Sequence, residues 1–307
     1  MDGRGIAVVF PGQGSQFPGM ADPWTGHELG RRVLERASAA LGRDVVEGCR
    51  DEEALARTDF VQPALLACGV AAFRALEAEG CAPLGAAGHS LGELTALVAA
   101  GALELEDALE VVIVRGRAMA EAGAARPGAM CALLGVGPEQ AAELCELARG
   151  EDVLVVANEN SPQQVVLSGS VEAVERAEAL AAERRIRAVR LKVAGAFHSP
   201  LMEPAVRPLT ETLDRVTFRP PGFPIAENVT GELTTDPEEL RELLKRQVVS
   251  PVRWSRCVEA LAAAGADTFV EAGPGDVLTR LAKRIVPGAR VLAVGSPDAA
   301  AAFARGA

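Results

Sequence analysis

The stretch Leu84-Gly85-Ala86-Ala87-Gly88-His89-Ser90-Leu91-Gly92-Glu93 decides the fold. Leu84–Gly88 is a short run of small residues that reads as a buried strand. His89-Ser90-Leu91-Gly92 reads as a sharp turn, and an Ala/Leu-rich helix runs on to about Ala100. Gly88-His89-Ser90-Leu91-Gly92 matches G-x-S-x-G, in which two glycines allow the strand and helix to pack closely around a serine at the turn. The serine hydroxyl then projects from the sheet, and the following amide at a helix N-terminus favours an oxyanion. Two readings fit this turn: Ser90 is a nucleophile, or Ser90 caps the helix.

The elements outward from that turn alternate. Ile6–Phe10 reads as a buried strand that opens into the Gly-dense loop Pro11–Gln16. Residues 28–41 and 62–79 have helical spacing, with Pro63 in the first turn of the second. A further helix is predicted from about Glu106 to Ala124. From 128 to 194 the pattern becomes strand (129–136), helix (138–147), strand (153–157), strand (164–168), helix (171–184), strand (187–193). This β-α-β-β-α-β order is ferredoxin-like and looks inserted between two stretches of one larger unit, 1–127 and 195–307. A helix over about 200–215, the Pro-rich stretch 219–224 and a strand Thr268–Glu271 follow. The Ala-rich tail from Ser296 carries little signal.

A nucleophilic serine needs a base. The histidines are His27, His89 and His198. His27 lies in an acidic helix start and reads as solvated, and His89, next to Ser90 on the turn, should not reach its hydroxyl. That leaves His198, in Ala194-Gly195-Ala196-Phe197-His198-Ser199-Pro200, where the small unit returns to the large one; its alternative is a structural role. No Asp or Glu is placed as a third member, so a backbone carbonyl is the candidate to orient the imidazole. On helix 106–124 the face Ala108, Val111, Val112, Arg115, Ala118, Met119, Ala122 is apolar except for Arg115. A buried arginine either pairs with an internal carboxylate or receives an anionic ligand, and its fork suits a carboxylate.

Composition sets the bounds. The chain has 307 residues, 49% hydrophobic and 24% charged, enough for a sizeable core. The formal net charge of −11 disfavours a general nucleic-acid binder. No apolar run reads as long enough to span a bilayer. The start, Met1-Asp2-Gly3-Arg4-Gly5, has no signal-peptide pattern, so a cytoplasmic protein is expected. Six cysteines without a CxxC pair read as buried thiols, and no zinc-type ligand cluster is visible.

Seven motifs together resemble the malonyl-CoA:acyl-carrier-protein transacylase family, which includes the fatty-acid enzyme and polyketide synthase acyltransferase domains. In order they are Phe10-Pro-Gly-Gln-Gly-Ser-Gln16, Gln62-Pro-Ala-Leu-Leu66, Gly88-His-Ser-Leu-Gly-Glu93, Arg115-Gly-Arg-Ala-Met119, Asn158-Glu-Asn-Ser-Pro-Gln-Gln164, Gly195-Ala-Phe-His-Ser199 and Glu271-Ala-Gly-Pro-Gly275. The resemblance covers about residues 5–295. It implies an α/β-hydrolase-like core with the ferredoxin-like insertion. It also implies a Ser90 acyl-enzyme and His198 as base and then acid. Gln13, by side chain or loop, and the Leu91 amide would form the oxyanion site, and the Gln247 carbonyl would orient His198. Arg115 would clamp a malonyl carboxylate, with Gln62, Asn160, Phe197 and His89 lining the substrate side.

The partners so implied are malonyl-CoA and an acyl carrier protein, met by a monomer that needs neither metal nor redox cofactor and binds neither nucleic acid nor membrane. Ala-Phe-His at 196–198 implies malonyl over methylmalonyl, a preference that one methyl limits to ~1–3 kcal/mol. The chain departs from many relatives at Leu94, where they carry an aromatic residue, at Ser250 in place of Asn before Pro251, and at Asp276 in place of a basic residue. Two basic runs, Arg184-Arg185-Ile186-Arg187 with Arg190 and Lys192, and Arg280 with Lys283, Arg284 and Arg290, are either solvated faces or a carrier-binding surface around Arg187, Lys283 and Arg284. Two other readings are weighed. An acyl-thioester hydrolase gives no reason to bury a cation at Arg115, and a non-catalytic carrier-binding module has no need of Ser90, His198 and Gln13.

Overall fold

The structure, a computed structural model, describes residues 5–305. Residues 1–4, where the signal-peptide reading falls, lie outside the described residues. The strands are β1 (Gly5–Phe10), β2 (Gly85–Gly88), β3 (Gly128–Leu134), β4 (Leu154–Ser161), β5 (Gln164–Ser170), β6 (Arg187–Arg190), β7 (Ile225–Ala226), β8 (Leu233–Thr234), β9 (Ala266–Ala272) and β10 (Arg290–Val294). The helices of the first half are α1 (Glu28–Leu41), α2 (Val45–Gly48), α3 (Glu52–Ala56), α4 (Thr58–Ala78), α5 (Gly92–Ala99) and α6 (Leu105–Ala125). Those of the second half are α7 (Pro138–Arg149), α8 (Val171–Glu183), α9 (Glu203–Leu213), α10 (Pro237–Arg246), α11 (Trp254–Ala263), α12 (Val277–Ile285) and α13 (Pro297–Ala304).

Six strands form one sheet in the order β10-β9-β1-β2-β7-β8, parallel except for the β7–β8 pair. Side chains along β1 alternate between its two faces. Val8 and Phe10 join the large apolar cluster under α1, α4, α5 and α6, whereas Ala7 and Val9 join Trp254, Phe269 and Leu281 under α11 and α12. Burial on both faces explains the continuous apolar run at Ile6–Phe10.

The second sheet is antiparallel, in the order β4-β5-β3-β6. Counted within 128–190 that order is 2-3-1-4, with α7 and α8 as the crossovers, which is the ferredoxin-like arrangement. One face packs on α7 and α8 through Cys131, Leu133, Val165 and Leu167. Met130, Ala132 and Val166 alternate to the other face and join the large cluster. Val252 of the large unit bonds to β4: its amide donates to the Ala157 carbonyl (2.8 Å) and its carbonyl accepts from the Glu159 amide (2.9 Å).

Several expectations are corrected. α4 begins at Thr58, so Pro63 lies inside the helix, past its first turn. This same helix is long and apolar enough to cross a membrane by length and composition, contrary to the expectation that no run qualifies. However, 89% of its apolar window is buried inside the protein, where it is a core helix. β4 runs on to Ser161 through two register shifts, so Asn158 and Asn160 sit on a strand. β6 stops at Arg190, the Leu191 amide makes one more bond to β3 at the Met130 carbonyl (2.9 Å), and Leu191 and Val193 line the cavity. The helix expected over 200–215 is a 3-10 turn at Pro200–Met202 followed by α9. The Ala-rich tail folds as α13, capped by Ser296, and buries Ala300 and Phe303. His27 is half-buried as the N-cap of α1, its ring nitrogen accepting from the Gly30 amide at 3.3 Å.

Candidate active site

The turn between β2 and α5 exists because two glycines permit it. A Cβ at Gly88 would stand 1.9 Å from the Gly92 main chain. Ser90 takes a left-handed φ of 53°, a conformation that costs a non-glycine residue of order 1 kcal/mol or more and that needs surrounding structure to hold it. Asn228 supplies the hold: its Oδ1 accepts from the Ser90 amide (2.7 Å) and its Nδ2 donates to the Gly88 carbonyl (2.8 Å). The loop after β1 closes against the same turn, because a Cβ at Gly12 would meet the His89 carbonyl at 2.3 Å. Gln13 is thereby brought to the cavity, half-exposed, and Leu91 lines the same cavity. The Gln13 and Leu91 amides donate to no protein acceptor among the described residues.

His198 also has a left-handed φ, 58°, where the chain returns from the small unit. Its Nε2 lies 2.8 Å from Ser90 Oγ, and its Nδ1 lies 3.0 Å from both the Gln247 and the Ser250 carbonyls. A proton on Nδ1 is fixed by those two carbonyls, which leaves Nε2 as the acceptor facing the serine. Burial lowers the pKa of His198 to about 3, and the Arg115 charge adds to the effect. The imidazole is therefore neutral at pH 7. His89 is turned away, its Nε2 2.9 Å from Asn160 Oδ1 and its ring against Trp254.

Arg115, only 1% exposed, projects from α6 under the serine. It donates to Gln62 Oε1 (2.7 Å), Ser90 Oγ (2.9 Å) and Gln247 Oε1 (2.9 Å). All three partners are neutral, and its Nε has no hydrogen-bond partner. Desolvation lowers its pKa to about 10, against the opposing field of Glu93, so it stays a cation at neutral pH. A buried cation held by neutral groups is costly. Of the two readings open for Arg115, an internal carboxylate partner does not appear among its hydrogen bonds.

Around these groups lies a cavity of about 180 Å³. Its polar end is formed by Ser90, His198, Arg115, Gln62, Asn158 and Asn160. Its apolar walls are Met119, Met130, Val166, Leu191, Val193, Phe197, Leu278 and Leu281. Both units contribute: Met130, Asn160 and Val166 come from the small sheet, and the serine turn and α12 from the large unit.

Of the predicted residues, the structure brings Ser90, His198, Arg115, Gln62, Gln247, Leu91, Gln13, His89, Asn160 and Phe197 to one place. It leaves Arg187, Lys283 and Arg284 exposed and outside the lining of the cavity. Three arginines of the basic runs are engaged in ion pairs, Arg184 with Glu143, Arg190 with Glu178 and Arg280 with Asp276. Arg284 donates to Gln164 Oε1 at 3.3 Å, bridging α12 and β5. Sequence reasoning missed Asn228, Glu93, the Ser250 carbonyl and the Gln247 side chain. For Asn228 the available signal was Glu227-Asn228-Val229-Thr230-Gly231, a turn-forming set directly after a short apolar pair. No group of three or more His, Cys, Asp or Glu residues suited to a metal occurs among the described residues.

A family model described as "Acyl transferase domain" matches residues 7–297. The malonyl CoA-acyl carrier protein transacylase of Escherichia coli K12 is 42% identical over 304 residues, covering 97% of this chain and 98% of its own. Its counterpart in Bacillus subtilis 168 is 40% identical over 305 residues, covering 95% and 94%. Among solved structures, the malonyl-CoA:acyl carrier protein transacylase (FabD) of Xanthomonas oryzae superposes with a TM-score of 0.95 at 41% identity, covering 100% of this chain and 99% of its own. A malonyl-transacylase solved in complex with a type II PKS acyl-carrier protein superposes at 0.94 with 37% identity, covering 99% of this chain and 100% of its own.

Proposed function

The chain belongs to the acyl transferase domain family, and from that premise we infer that it transfers a malonyl group from coenzyme A to the phosphopantetheine thiol of an acyl carrier protein. The observation that carries this reading is Arg115: a buried cation, held only by neutral groups, that touches the hydroxyl of the serine to be acylated. A donor with a free carboxylate next to its thioester supplies the anionic partner that the hydrogen bonds of Arg115 lack.

The steps follow from the geometry. Ser90 Oγ gives its proton to His198 Nε2 as it attacks the thioester carbonyl. The negative charge on that oxygen falls to the Leu91 amide and to Gln13. The C–S bond breaks, His198 returns the proton to the departing coenzyme A sulfur, and a malonyl ester remains on Ser90. The carrier thiol then gives its proton to His198 and attacks the ester, and Ser90 leaves with that proton. The Gln247 and Ser250 carbonyls stabilise the imidazolium formed in each half, the part a carboxylate plays in a triad. Phe197, buried beside His198 in the cavity wall, restricts the space at the α-carbon and so favours malonyl over methylmalonyl.

The small unit is taken as 128–194 and the large unit as 1–127 with 195–307; the cavity lies between them. For the carrier we propose the face with Arg187 and Lys283, two exposed basic side chains, together with Arg284.

The test is intact-protein mass after brief incubation with malonyl-, methylmalonyl- or acetyl-CoA, followed by addition of holo carrier protein. A malonyl adduct that the carrier discharges and that Ser90→Ala lacks is the expected result. Coenzyme A release without an adduct would mean hydrolysis instead.

A further inference from the structure

α5 is buried along its whole length and apolar at most positions, yet it carries the carboxyl group of Glu93, 1% exposed, whose pKa burial and then Glu227 push up to about 8. That carboxyl group forms no ion pair among the described residues. Its Oε2 accepts two hydrogen bonds, from the Asn228 amide (3.0 Å) and from Gln247 Nε2 (2.9 Å). The second Gln247 N–H donates to the Ser90 carbonyl (3.0 Å). With both N–H groups so directed, Gln247 Oε1 points at Arg115 and accepts from its Nη2 at 2.9 Å. A primary amide is close to symmetric in shape. Turned over, it would present two N–H groups to a guanidinium that can only donate.

We propose that Glu93 is a positioning residue for acyl-group selection: it fixes the Gln247 amide so that its oxygen holds the Arg115 fork in place for the malonyl carboxylate. Glu93 touches neither the reacting atoms nor the acyl group and acts through Gln247. Its other partner, Asn228, supports the serine turn, which every acyl donor uses alike. The two arms are therefore separable. Loss through Asn228 lowers transfer of all acyl groups together, whereas loss through Gln247 lowers malonyl transfer selectively.

The proposal rests on the malonyl-transfer reading, and the experiment keeps the two apart. Acylation kinetics with malonyl-CoA and acetyl-CoA are measured for wild type, Glu93→Met, Glu93→Asp and Glu93→Gln. Glu93→Met removes the acceptor at nearly constant length, and Glu93→Asp withdraws it while keeping the carboxyl group. Both should lower the malonyl-to-acetyl ratio of kcat/KM about ten-fold, the scale of leaving one buried N–H donor unpaired, with the malonyl loss carried mainly by KM. Glu93→Gln keeps an acceptor oxygen and should return the ratio to within about two-fold of wild type. A ratio that stays at the wild-type value in Met and Asp, or falls as far in Gln as in Met, overturns the positioning role alone. A wild-type enzyme with no malonyl preference overturns the functional reading itself. Should Glu93→Met not fold, Glu93→Asp against Glu93→Gln carries the comparison.

Discussion

Two side chains, Arg115 and His198, share one electrostatic problem. Both are buried, burial lowers the proton affinity of each, and the Arg115 charge lowers that of His198 further. Because burial and the Arg115 charge hold His198 near a pKa of about 3, its base form persists far below the usual histidine range. The sign is that of a neutral imidazole disfavoured from charging. The acylation rate with a donor whose acyl group is uncharged should stay level from pH 7 down to about pH 4 and fall only as His198 protonates. Removing the neighbouring cation should raise that pKa, so Arg115→Ala should move the acid limb to higher pH. Stopped-flow acylation with acetyl-CoA across pH measures both limbs. With malonyl-CoA the same substitution should lower kcat/KM by about 100-fold, since two charge-assisted hydrogen bonds are lost. A smaller loss than with acetyl-CoA would contradict the clamp.

At the scale of elements, the chemistry is set by how closely three segments approach: the β2–α5 turn, the loop after β1 and the return segment at His198. Gly88→Ala should prevent folding or cost on the order of 4 kcal/mol or more, because the new methyl has only main chain to meet; urea denaturation measures it. Gly12→Ala is a milder case. The loop can retreat from the His89 carbonyl, but it takes Gln13 with it, so acylation should slow at least ~ten-fold while substrate KM changes little.

The strand–turn–helix at 84–100 was legible because small residues, G-x-S-x-G and a good helix lie in one continuous stretch. The ferredoxin-like unit was legible for a related reason, as each of its elements has a clean period. What stayed hidden are contacts made by chain ends far apart in sequence. β7 is two residues long, too short for any period, and it is what delivers Asn228 to Ser90. Pro63 suggested a helix start, and tertiary packing along α4 overrode it. In α13 the alanine repeat masked Phe303, whose burial anchors the helix.

Taken whole, the molecule places its reactive groups at a seam between an acidic large unit and a small sheet. The overall charge of −11 would repel an acidic carrier, and the proposed carrier face sets local cations against that field. Arg187→Glu combined with Lys283→Glu should lower kcat/KM for the carrier about ten-fold at low salt. The deficit should shrink as salt rises past ~0.15 M, where charges more than about 8 Å apart are screened. Steady-state kinetics over a salt series checks this.

The neutral setting of Arg115 also has a consequence for folding. The native state holds a positive charge that the unfolded chain leaves in water, so any small dianion that fits the fork favours the native state by mass action. At a hundred times its dissociation constant such a ligand adds about 2.7 kcal/mol. Free malonate should therefore raise the melting temperature by several degrees, acetate at equal ionic strength should not, and Arg115→Met should abolish the difference. A dicarboxylate buffer then becomes a means of keeping the protein folded in storage, through the same side chain proposed to choose its acyl group.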